Sequence, residues 1–149
     1  MMNLLTRLRV DVEQLKDDES LERVRPASEA VLKYLLFLEE APLAAAVRGG
    51  SDFQRQFETL GPADAQGRSL RQFDLRTRLF KYPCSFMIYS PSFEALPLRA
   101  RRHLYHRLWE VLSGEDASAG FKSLPAGTRA TLRDILAQTK RDLPAYWRL

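Results

Sequence analysis

His103, His106 and Glu110 follow the pattern H-x-x-H-x-x-x-E, which puts two imidazoles and a carboxylate on one side of a single helix. These are ligand types for a divalent cation. Arg99 shares that side and opposes a cation by its charge, and the sequence marks neither a fourth ligand nor a group to orient the first three. The pattern is therefore read as a solvated face, and neither a metal nor a cofactor is expected.

Cys84 is the second group with chemical capacity. A thiol just after Pro83, at the start of a helix, becomes a nucleophile when N-terminal N–H groups and a histidine lower its pKa. Its neighbours Tyr82, Phe86, Met87 and Ile88 argue instead for burial, which raises a thiol pKa and makes cysteine a small core residue. A thiol enzyme using Cys84 ranks third among the functions considered. No disulfide can form within the chain, since Cys84 is its sole cysteine.

The third feature is basic. Arg99, Arg101, Arg102 and Arg107 cluster with His103 and His106 along one helix, and Arg68, Arg71, Arg76, Arg78 and Lys81 belong to a central stretch. Cations near a helix N-terminus oppose its dipole by less than about 1 kcal/mol each, so the row points weakly to an anionic partner. Tyr146 and Trp147, in a terminal segment after Pro144, are a further candidate for docking. Two glycine-bearing helix starts, at 49–51 and 67–69, match neither a Walker loop nor G-x-G-x-x-G, and their serines read as caps.

These groups need a scaffold, and composition bounds it. With 149 residues, 45% hydrophobic and 28% charged, the chain has the size and balance of one globular domain. A net charge of +4 permits an acidic partner without demanding one. No apolar run reaches the ~18 residues of a membrane span. Arg7, Arg9 and Asp11 interrupt what a signal peptide would keep apolar. The chain as written is expected to be soluble, and cytoplasmic unless it is a piece of an exported precursor.

Leu4, Leu5, Leu8, Val12 and Leu15 lie within about a 100° arc of a helical wheel and predict an amphipathic helix over 3–16. A polar turn at 17–20 leads to a helix from Pro26 to Glu40, apolar nearly all round. Ser51-x-x-Gln54 reads as a capping box that opens a short helix carrying Phe53, Phe57 and Leu60 inward, closed by Gly61-Pro62. Ser69-x-x-Gln72 predicts another box and a helix over 69–82 with two opposed apolar faces, broken at Pro83. The stretch 84–90 is a new buried helix or an extended segment, and helix is favoured because no second strand signal exists to pair with it. A turn at Pro91, a helix from Leu98 to Ser113 closed by Gly114, a loop at 115–120 and a helix from Pro125 to Lys140 complete the chain, with a non-helical tail folded back on the core.

The expected fold is all-α: a compact single domain over 1–149, with about six to seven helices, several of them short, around two largely buried central helices. Those two are 26–40 and 69–82, with Phe73, Leu79, Phe80 and Phe86 all buried. The expected function is a non-catalytic helical module that binds a protein within a larger assembly, through the Arg99–Arg107 row or the tail. The alternative is a binding domain for an anionic ligand or nucleic acid on that row. Partner identity and oligomeric state do not follow from the sequence.

Overall fold

Leu5, Leu8 and Val12 recur at helical spacing, and all three turn inward on α1 (Met2–Glu13). The computed structural model describes residues 1–16, 20–116, 118 and 120–148, so most of the turn expected at 17–20 and two positions of the loop at 115–120 lie outside the described residues. A 3₁₀ turn at Leu21–Val24 begins at Ser20, whose hydroxyl accepts from the Glu22 N–H at 3.2 Å. It runs into α2 (Arg25–Leu35), where Pro26 sits in the first turn and its missing N–H has no partner to lose. Val31, Leu32 and Leu35 of this helix are completely buried.

The helix read from 26 to 40 ends at Leu35, and Phe37 is the reason. Phe37 takes φ 50°, the left-handed region, which costs a bulky residue roughly 1–2 kcal/mol. The turn closes with Leu38 N–H donating to Lys33 C=O at 3.1 Å and Phe37 N–H to Tyr34 C=O at 3.4 Å. This is a Schellman motif with phenylalanine where glycine is usual. The Phe37 ring stacks on Phe80, centroids 5.7 Å apart, which offsets part of the strain.

A second correction concerns the stretch 69–82, which is not helical. Phe73 and Phe80 form an antiparallel bridge. Asp74 N–H donates to Leu79 C=O at 3.0 Å, Leu75 N–H to Arg78 C=O at 2.9 Å, and Lys81 N–H to Gln72 C=O at 2.9 Å, so the stretch is a small hairpin. Leu75, at φ 59°, makes the turn. The Asp74 carboxylate accepts from the N–H groups of Thr77 and Arg78 and from the Thr77 hydroxyl, a local alternative to helical pairing. Ser69 caps no helix; its hydroxyl accepts from Arg71 N–H at 3.3 Å. Of the four side chains expected to be buried, Phe80 is, Phe73 and Phe86 are half-buried, and Leu79 is 41% exposed.

After the hairpin, Ser85 caps a single 3₁₀ turn at Phe86–Tyr89 in place of a resumed helix, and Ser90 caps the one-turn α4 (Pro91–Glu94). The second central helix is α5 (Leu98–Ser113), which packs on α1, α2 and α6 (Ala126–Thr139). It buries Leu104, Leu108, Val111 and Leu112 along one side, each contributing roughly 1.5–3 kcal/mol. Gly114, at φ 90°, ends it. The tail returns as a 3₁₀ turn, Ala145–Arg148, that lays a buried Trp147 against α6 and Trp109. Among the described residues there are six α-helices and no strand, an all-α fold around α2 and α5.

α3 (Ser51–Thr59) stands apart from this arrangement. It starts from Gly50 rather than from a capping box, and none of residues 52–59 is buried.

Candidate functional site

The basic row on α5 is largely spent on the protein itself. Arg107 is buried, and its Nε donates to Glu29 of α2 at 2.7 Å while Nη2 reaches Asp116 at 2.6 Å and Nη1 reaches Glu110. Burial alone would lower its pKa, but the three carboxylates outweigh it and raise the pKa above the ordinary arginine value. Asp116 is held down to about 2, chiefly by the hydrogen bond from Arg107 and then by the Ser118 N–H. Arg101 is shared between Glu94 at 2.9 Å and Asp142 at 3.0 Å.

That second cluster closes around Lys140. Its side chain is 3% exposed, and the ammonium contacts Glu94 and, at 3.0 Å, Asp142. Tyr105 OH donates to Asp142 at 2.7 Å, and burial together with that bond raises the tyrosine pKa. The whole set ties α4, α5 and the C-terminal segment together, and each of its charges already has a counter-charge.

The remaining members of the row are dispersed. Arg99 donates to Lys16 C=O at 3.2 Å, and Arg102 is exposed. His103 is half-buried with its Nε2 enclosed and unpartnered, and burial lowers its pKa. His106 is exposed, 3.6 Å from Glu110 and edge-on to Tyr146. Tyr146 also packs edge-on against Trp109, centroids 5.6 Å apart. Trp147 is buried, so it presents no docking surface. Among the described residues no three His, Cys, Asp or Glu side chains converge so as to hold a metal ion. Cys84 is completely enclosed, and burial pushes its thiol up to about 12.

The surface that stands out lies elsewhere, on α3 and the hairpin beneath it. Phe53, Phe57 and Leu60 share one face at i, i+4 and i+7. Only Phe57 turns toward the body: its ring lies 5.0 Å from Phe73 and 5.4 Å from Phe86, and Phe73 in turn stacks on Phe80 at 5.3 Å. Phe53 stacks on Phe57 at 5.9 Å yet remains 67% exposed, and Leu60 is 72% exposed. The expectation that all three point inward therefore holds for Phe57 alone. A nine-residue helix docked through one central ring leaves both ends of its apolar face outside.

Two further contacts fix this lobe. Glu58 accepts from Phe73 N–H at 3.0 Å, joining α3 to the hairpin, and Val47 N–H donates to Leu75 C=O at 2.8 Å, bringing the preceding segment alongside the hairpin turn. Val47 and Leu79 are exposed as well. Arg71 lies across the lobe with its guanidinium carbon 4.8 Å from the centre of Phe57 and 4.3 Å from that of Phe86.

A groove of about 660 Å³ lies along α1 and α2, but two of its carboxylates, Glu29 and Glu40, already face Arg107 and Arg78. Comparison with known protein families, with characterised proteins and with solved structures finds no match for this chain.

Proposed function

We propose that the chain is a non-catalytic helical module that binds a protein partner within a larger assembly, and that α3 is the element it binds with. The observation that carries the reading is the exposure of Phe53 on α3 and of Leu60 at its C-terminal cap, on the one face by which the helix docks through Phe57. Single exposed hydrophobes are common, but Phe53 is the outer end of a continuous series of stacked rings that runs on through Phe57, Phe73 and Phe80 to Phe37. Aromatic side chains offer large contact area at low entropic cost, which suits a binding surface.

The α5 row supports the anionic-ligand alternative less well, because Arg101 and Arg107 are neutralised within the fold. The enclosed thiol of Cys84 gives little support to the enzyme reading.

A photo-reactive benzoylphenylalanine placed at position 53 in the native host tests the proposal, with the exposed Thr6 on α1 as control position. A discrete covalent adduct from position 53 and none from position 6 is the expected result. The same adducts from both positions, or none from 53, would overturn it.

A further inference from the structure

We infer that Arg71 is an anion anchor within this surface and that the partner segment it receives carries a carboxylate beside apolar side chains. The inference rests on the reading of α3 as the binding element and specifies the chemistry of its partner.

Arg71 differs from four arginines described above, Arg68, Arg78, Arg101 and Arg107. Arg101 and Arg107 each meet carboxylates, and so do Arg68, at 2.6 Å from Asp64, and Arg78, at 3.6 Å from Glu40. Among the described residues no carboxylate lies within ion-pair distance of the Arg71 guanidinium; its side-chain contacts are the faces of Phe57 and Phe86. Contact with the two rings places the guanidinium without using its N–H donors. A guanidinium so placed keeps its N–H donors for an anionic acceptor, and part of its rotamer freedom is already spent.

Its stem is held too. A Cβ at Gly61 would lie 2.9 Å from Arg71 Cδ, so the residue after Leu60 must be small for the chain to cross the arginine stem this closely. The same contact sets Arg71 against the residue that follows Leu60, and Arg71 and Phe53 both pack on the Phe57 ring. The cation thus lies against the central ring of α3 and close to the end of that helix, half-buried but open to solvent.

Charge around the site agrees. Arg76 directly follows Leu75, which the Val47 backbone bond ties to the segment carrying Arg48, and both cations are exposed with no carboxylate within ion-pair distance among the described residues. The acids of the lobe are engaged: Asp52 by Arg55, Asp64 by Arg68, Asp74 by its own turn, Glu58 by Phe73 N–H and Gln54. What remains is a positive rim on an apolar surface, complementary to a peptide in which Asp or Glu alternates with Leu, Phe or similar residues. Nucleic acid fits less well, because the cation lies among apolar side chains rather than along a polar groove.

A random peptide library displayed on phage and selected on the intact chain tests this. Peptides rich in apolar residues with at least one Asp or Glu are expected. Their affinity should fall about tenfold or more on Arg71→Met, which keeps the stem between the rings, be partly restored by Arg71→Lys, and weaken with added salt. Selected peptides that lack acids, or that bind Arg71→Met as well as the parent, would overturn the anchor while leaving α3 as the binding element. Failure to enrich any peptide, or peptides that bind Phe53→Ser undiminished, would remove the underlying reading and the anchor with it. Circular dichroism of Arg71→Met separates lost binding from lost fold.

Discussion

Arg107 Nε lies 2.7 Å from Glu29 Oε1, so the two central helices, α5 and α2, are joined by a charged hydrogen bond between residues 78 positions apart. Glu110 and Asp116 complete the shell around the guanidinium. Arg107→Ala should leave three carboxylates facing one another without a counter-charge and cost about 3–5 kcal/mol. Urea unfolding followed by circular dichroism measures it. A loss below about 1 kcal/mol would place the pair among weak surface bridges.

The same shell predicts an acid dependence. Asp116 has a folded-state pKa of about 2 against an ordinary value of 3.8, so the unfolded chain takes up its proton first as pH falls. Its contribution is present in full above the ordinary value and is lost as pH drops from roughly 4 toward 2. Asp116→Asn should flatten that part of the stability profile, which unfolding at a series of pH values would reveal.

Phe37 supplies an inverted substitution order. At ordinary helical positions glycine is worse than alanine, but here the backbone is left-handed and both substitutions lose the ring that stacks on Phe80. Phe37→Gly should therefore be less destabilising than Phe37→Ala, by about 1 kcal/mol. Equal or reversed losses in thermal melts would mean that the Schellman turn at Lys33–Leu38 is not strained.

Cys84 should resist iodoacetamide in the native protein at neutral pH and react on unfolding, since it is wholly enclosed. Its folded pKa, about 12 against 9.0, implies that the unfolded thiol ionises first as pH rises. Stability should thus decline above about pH 9, and Cys84→Ala should reduce that decline at some cost in packing.

The sequence was most readable where one local signal sufficed. The apolar stripe of α5 and Gly114 at its end mark that helix, and Leu132, Ile135 and Leu136 mark α6. Over 69–82 the apolar spacing fits a helical wheel, while the groups that decide the shape are a side chain, Asp74, competing for backbone donors, and a distant one, Glu58, accepting from Phe73. Two opposed apolar faces on a supposed helix were the available warning. The α5 row reads as a binding face in part because two of its neutralising partners, Glu29 and Asp142, lie far away in sequence. Arg71 was legible only as one cation among several; the rings that hold it come from α3 and from the turn after Pro83.

The central claim is that α3 and the hairpin beneath it, not the α5 row, meet the partner. Hydrogen–deuterium exchange of the chain alone, and of the chain bound to the protein captured from position 53, tests it most directly. In the free chain, amides of Ser51–Thr59 should exchange far faster than those of α2 and α5, since the short α3 is held by few buried contacts. On binding, α3 and residues 71–80 should slow by about tenfold or more, with Arg99–Arg107 and the tail unchanged. Protection that appears instead along Arg99–Arg107 and around Tyr146, with α3 still exchanging fast, would contradict the account.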